Sequence, residues 1–172
     1  GYSAVGVDEI LQRTGISRCS FYYYFKTKEG FGAELIDRYR LSITQKLERC
    51  LSDTSLSPLG SLRAFVGEVR DEMARTDCRS GCLAGKLAQE VNTLPENFRE
   101  QLSAVFAEWQ DVFAHGLKRA QETGEISPEL DCASTAAFFW YGWEGALQRA
   151  NLELNIKPVD IFIGNFFSRL TG

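Results

Sequence analysis

The stretch VDEILQRTGISRCSFYYYF, residues 7–25, holds two short amphipathic segments either side of a glycine. Val7, Ile10, Leu11 and Thr14 recur at helical spacing, and Asp8 and Glu9 stand in a first turn where the helix dipole favours acids. Gly15 is placed to close that segment in a left-handed conformation, and Ser17 to cap the next one. Two short helices joined by a tight glycine turn must cross steeply, which is the pattern of a helix-turn-helix. Ile10, Ile16, Phe21 and Phe25 are expected to lock the crossing from inside.

The second segment contains five consecutive aromatics, Phe21 to Phe25. Successive helical residues turn by about 100°, so the five cannot all face a core. A packing-only reading therefore leaves tyrosines on the surface. The outward side carries Arg18, Cys19, Tyr22 and Tyr23 on a helix of a size that fits the major groove. Ser17, Ser20, Tyr22, Tyr24 and Lys28 offer hydroxyls and an ammonium suited to phosphate oxygens, which fix register without reading bases. Arg18 and Tyr23 are better placed to reach base edges.

Charge is distributed accordingly. Residues 1–46 hold seven basic residues against five acidic ones, a net +2, whereas the whole chain carries −4 and the remainder therefore −6. A basic head on an acidic body directs a polyanion to the head alone. At 172 residues and 44% hydrophobic composition the chain can bury a core of ordinary size. No apolar run reaches membrane-spanning length and no charged-then-apolar leader is visible, so no membrane partner is expected. Five irregularly spaced cysteines, at 19, 50, 78, 82 and 132, point to free thiols in a reducing cytoplasm. One histidine, no CxxC pair, and no GxSxG, P-loop or GxGxxG motif argue against a metal site, a cofactor and catalysis.

Helical periodicity continues beyond the head. Thr27 caps a long segment whose stripe runs from Phe31 to Cys50, and a loop follows at Ser52 to Pro58. Further helices are predicted through Leu62–Met73, Leu83–Val91, Phe98–Ala120, Ala133–Leu152 and Val159–Leu170, with breaks at Asp77–Gly81, Asn92–Pro95 and Gly124–Pro128. No stretch alternates with period two, so the chain is read as all-α, with a DNA-binding domain at 1–46 and a helical body at 47–172. Within the body, Met73, Leu87, Phe106, Trp109, Phe113, Phe138 and Trp143 are candidates to line an apolar pocket, with His115 as its polar contact. Aromatics at this spacing equally suit a plain core. Phe139, Trp140, Trp143 and Leu147 on one helix, with Phe162 and Phe166 on the next, leave more apolar surface than one monomer needs and are assigned to a homodimer interface.

GYSAVGVDEILQRTGISRCSFYYYFKTKEGF, residues 1–31, resembles the DNA-binding region of the TetR/AcrR family of bacterial transcription regulators. The resemblance rests on the opening Gly1-Tyr2, the helix Val7–Arg13, the turn Gly15-Ile16-Ser17, the run Phe21–Phe25 and the pair Lys28-Glu29. It implies a homodimer on double-stranded operator DNA, a helical effector-binding domain, a small apolar or electrophilic effector, and repression. Family members carry a further helix before this region, and without it Val5, Val7 and Phe31 are expected to be exposed. Cys19 stands where the family more often has Gly, Pro or Ala. The segment Gly81-Cys82-Leu83 through Leu87–Val91 is similar to the electrophile- and oxidant-sensing branch that includes the N-ethylmaleimide reductase repressor. The resemblance makes Cys82 a sensing thiol. A helix N-terminus, Arg79 and Lys86 would favour its thiolate, with Cys78 as a resolving partner. The competing reading makes Cys82 a small buried packing residue. Cys50 and Cys132 are assigned to helix packing without neighbouring charge. Two other functions fit the sequence less well: a thiol-dependent enzyme with Cys82 as nucleophile and His115 as base, and a helical dimeric scaffold that does not bind DNA.

Overall fold

The computed structural model describes residues 1–171, and among them every regular element is helical. The helices are α1 (Val7–Thr14), α2 (Arg18–Phe25), α3 (Lys28–Leu51), α4 (Pro58–Arg75), α5 (Leu83–Gln89), α6 (Glu96–Glu122), α7 (Cys132–Glu153) and α8 (Lys157–Thr171), with a 3-10 turn at Val91–Thr93. Each predicted helix is present, and the all-α expectation holds.

Local chemistry sets the head. Gly15 has φ 71° and ψ 9°, and its N–H donates to the Leu11 carbonyl at 2.9 Å, closing α1. The Ser17 hydroxyl accepts from the Ser20 N–H at 3.1 Å and starts α2. Between α2 and α3 the chain reverses in three residues: Lys26 has φ 63° and ψ −44°, and the Thr27 N–H donates to the Phe25 carbonyl at 2.7 Å. The turn brings α3 so close that a Cβ on Gly30 would stand 2.2 Å from the Phe25 oxygen, and only glycine fits there.

The chain forms two compact units, the first of residues 1–42 with 83–105, the second of 43–82 with 106–172. The expected division at 46/47 thus falls four residues late within α3, and the segment containing α5 groups with the head rather than the body. In the first unit Phe21 is fully buried against Phe25 and Phe31, with ring centroids 5.2 and 5.5 Å away. Tyr2 and Lys28 clasp each other: the tyrosine hydroxyl donates to the Lys28 carbonyl and the ammonium to the Tyr2 carbonyl, both at 2.8 Å. Ile16 departs from its expected inner role, because it lies in the exposed turn. Val5, Val7 and Phe31 are half-buried rather than open, although α1 buries no residue completely.

The second unit is built on stacked aromatics. Trp109 and Phe113 of α6 meet Trp140 and Phe139 of α7, with centroids 5.2 and 4.1 Å apart. Phe139 also packs on Trp143, Phe162 and Phe166. α8 lies close to α7 because Gly142 leaves room for Phe162, whose ring carbon would stand 2.3 Å from a Cβ there. Large rings dominate such a core because each buries so much apolar surface.

Candidate nucleic-acid interface and sensor site

The buried Phe21 fixes which side of α2 faces inward, and the exposed polar set is distributed around the rest of the helix. Ser17, Arg18, Cys19 and Ser20 are exposed, as are Tyr22, Tyr23 and Tyr24 at 40, 69 and 73%. Tyr23 and Tyr24 meet edge to face at 5.1 Å, and the Lys26 ammonium lies 5.3 Å from the centre of the Tyr23 ring. Arg18 forms an ion pair with Asp8 of α1, and Arg13 pairs with Glu9 at 2.8 Å. The exposed residues of α2 offer hydroxyls and a guanidinium, the donor types that duplex edges and phosphates accept. Lys28 differs from the expected role: its half-buried ammonium is held by the Tyr2 carbonyl and lies 4.5 Å from the Tyr2 ring centre. Lys26, in the exposed turn, is the cation that projects at that end of α2.

In the second unit Cys82 and Cys78 are both buried. The Cys82 thiol hydrogen-bonds to the carboxyl of Glu144 on α7, a residue the sequence reading did not single out. Burial pushes that carboxyl up to about 7, while the thiol's bond acts in the opposite direction. The charged group that the structure places against the thiol is thus an acid, where the sequence pointed to cations. A signal was present: Glu144 is the sole charged residue between Cys132 and Gln148. Asn151, two turns along the same helix, donates to the carbonyls of Cys78 and Ser80 at 2.7 and 3.2 Å.

Cys50 is not free of charged neighbours. Its thiol lies 3.8 Å from Glu68, which itself pairs with Arg49, and burial followed by the Glu68 charge raises its pKa. The half-buried Cys132 is raised in the same way by burial and Asp131.

The eight pocket candidates do not form one lining. Met73, Trp109, Phe113 and Trp143 are buried core residues, and Phe106 packs edge-on against Trp109 at 5.6 Å. His115 is exposed, which removes it as the polar contact of an interior pocket and as a buried base. Leu87 belongs to the first unit, where it lines a cavity of about 480 Å³ with Tyr2, Val5, Ile10, Phe31 and Leu35. Phe138 is 59% exposed and lines a groove of about 290 Å³ with Ile161, Phe162 and Phe166.

The interface assignments need a matching correction. Phe139, Trp140, Leu147 and Phe166 are buried within a single chain and Phe162 is half-buried, because α6 and α8 already cover that stripe. The uncovered face of α7 and α8 carries Phe138, Tyr141, Ile161, Asn165 and Arg169 instead. Among the described residues no helix is long and apolar enough to cross a membrane, and no group of three or more His, Cys, Asp or Glu side chains is placed to hold a metal ion.

Comparison with known proteins gives concordant matches. Residues 1–35 match the model of bacterial regulatory proteins of the tetR family, and residues 58–166 the tetracyclin repressor-like C-terminal domain. The transcriptional regulator AcuR of Cereibacter sphaeroides is 43% identical over 96% of this chain and 76% of its own length. The transcriptional repressor DhaR of a Mycobacterium species is 28% identical over 99% of this chain and 84% of its own. Among solved structures, a TetR regulatory protein from Rhodobacter sphaeroides superposes with a TM-score of 0.93 at 43% identity, covering 96% of this chain and 88% of that one. The reduced form of NemR from Escherichia coli shares the fold, with a TM-score of 0.88 at 22% identity over 100% of this chain and 89% of that one.

Proposed function

The chain belongs to the tetR family of bacterial regulatory proteins, and from that premise we propose that it is a homodimeric repressor that leaves its operator when a small effector binds its body or when Cys82 is modified. Its general activity is DNA-binding transcriptional regulation through an N-terminal helix-turn-helix and a C-terminal ligand-binding domain. One observation carries the reading: α2 is braced by a buried Phe21 and turns Arg18, Tyr22, Tyr23 and Tyr24 to solvent together. Two copies joined through the outer faces of α7 and α8 would present two α2 helices to half-sites about 34 Å apart, one helical turn of DNA. DhaR is named a repressor, and the same direction of control is assigned here.

Release requires the effector to favour a geometry that DNA disfavours, since equal affinity for both would shift nothing. α3 begins three residues after the end of α2 and runs to Leu51, so it is the element through which a change in the body would reach the head. Selection from a random duplex pool tests the proposal. The expected result is enrichment of a two-fold symmetric sequence whose affinity falls steeply with salt. Failure to enrich any sequence, or an affinity insensitive to salt, would overturn it.

A further inference from the structure

Helix α7 holds the segment 77–82 by two side chains. Asn151 binds the Cys78 and Ser80 carbonyls, and Glu144 binds the Cys82 thiol. The segment is strained, because the consecutive residues Asp77 and Cys78 adopt left-handed backbone with φ of 48° and 57°. Glu144 Oε1 is shut off from solvent and has no hydrogen-bond partner. A buried carboxylate oxygen left without a donor is costly, which is unexplained if Glu144 serves packing alone.

We propose that Glu144 is the proton acceptor and donor for addition of the Cys82 thiol to a neutral, activated carbon–carbon double bond of the α,β-unsaturated carbonyl class. The inference rests on Cys82 being the sensing thiol and names the group that makes it react. The carboxylate takes the thiol proton while the sulfur electron pair forms a bond to the β carbon. The π pair moves onto the α carbon and its carbonyl oxygen. Glu144 then returns the proton to the α carbon, leaving a thioether and a regenerated carboxylate, with no oxidant consumed. A carboxylate in a low-dielectric site repels an anionic electrophile, so the class is restricted to uncharged compounds. The adduct has no S–H to donate. Glu144 then loses its partner, and the strained segment loses one of its two ties to α7.

Peptide-level mass spectrometry of the full chain treated with N-methylmaleimide or its N-carboxymethyl analogue tests this. In the wild type, the neutral-over-anionic rate ratio at Cys82 should exceed that of free N-acetylcysteine amide by at least about tenfold. Glu144→Gln should slow the neutral reagent at Cys82 by at least about tenfold and abolish the excess ratio. Glu144→Asp, which keeps a carboxylate, should retain the preference. An unchanged rate in folded Glu144→Gln overturns the proposal. So does a wild-type ratio equal to that of the free thiol, a result that stands even where the variant fails to fold. Absence of any adduct at Cys82 in the wild type removes the sensing role itself, and with it the proposal.

Discussion

The guanidinium of Arg18 at the start of α2 pairs with the carboxylate of Asp8 in the first turn of α1. Both side chains are largely exposed, at 60 and 76%, so the pair contributes only about 0–1 kcal/mol. A bidentate contact from arginine to a guanine edge discriminates by about 1–3 kcal/mol. If Arg18 reads a base as proposed, DNA would outcompete Asp8 for it. Asp8→Asn is expected to raise affinity for every duplex about two- to fivefold at low salt, with the gain fading as salt screens it. Arg18→Ala should cost about 1–3 kcal/mol at the preferred site and relax base choice at one position. Fluorescence anisotropy across a salt series with matched and mismatched duplexes reads both. A loss of affinity in Asp8→Asn would mean that Asp8 orients the arginine for DNA instead of competing for it.

Lys26 and Lys28 separate by the same measurement. Lys26 is exposed in the turn after α2, whereas the Lys28 ammonium is committed to the Tyr2 carbonyl. Lys26→Ala should weaken all duplexes alike and reduce the magnitude of the salt slope by about one. Lys28→Ala should leave that slope nearly unchanged and lower the melting temperature, because it opens the clasp that ties the Tyr2 region to α3. A salt slope that moves with Lys28 and stays fixed with Lys26 would reverse the assignment.

The head is legible in the sequence because its determinants are local. Gly15 and Ser17 act on neighbours within four residues, and the direction of Phe21 follows from helical rotation alone. The Lys28 clasp depends on Tyr2, 26 residues away, and nothing near either residue marks it. Helix α7 shows a different limit. Its stripe of Phe139, Trp140, Trp143 and Leu147 is coherent in sequence, but so is the neighbouring pair Phe138 and Tyr141. Hydropathy cannot say which stripe meets the same chain and which meets another. The stack of Phe139 on Phe113 decides it, through packing between α6 and α7. The eight-residue pocket proposal failed for a related reason: Leu87 and Trp109 both recur at apolar helix positions yet belong to different compact units.

That distinction predicts two separable phenotypes. Phe139 is fully buried among Phe113, Trp140, Trp143 and Phe166. Phe139→Ala should therefore destabilise the fold by about 3–5 kcal/mol. Tyr141 and Ile161 are 71 and 54% exposed on α7 and α8. Tyr141→Glu with Ile161→Asp should leave the helical signal intact but convert dimer to monomer in sedimentation, with loss of operator affinity. A double variant that still sediments as a dimer would place the interface elsewhere.

The Glu144 carboxyl titrates at about 7 in the folded chain because burial disfavours its charge. In the unfolded chain a glutamate titrates at about 4.3. Between these values the folded state holds a proton that the unfolded state has released. This stabilising contribution is fully present below about pH 4.3 and is lost as pH rises through about 7. At 1.36 kcal/mol per pH unit, the difference amounts to roughly 3–4 kcal/mol. Glu144→Gln keeps the shape without the charge. Relative to wild type, it should gain about 3–4 kcal/mol between pH 4 and pH 8, with most of the gain appearing between pH 5 and pH 7. Urea melts of the two proteins across that range measure it. A constant difference at every pH would mean that the carboxyl titrates alike in both states, and that burial exerts no net hold on its proton.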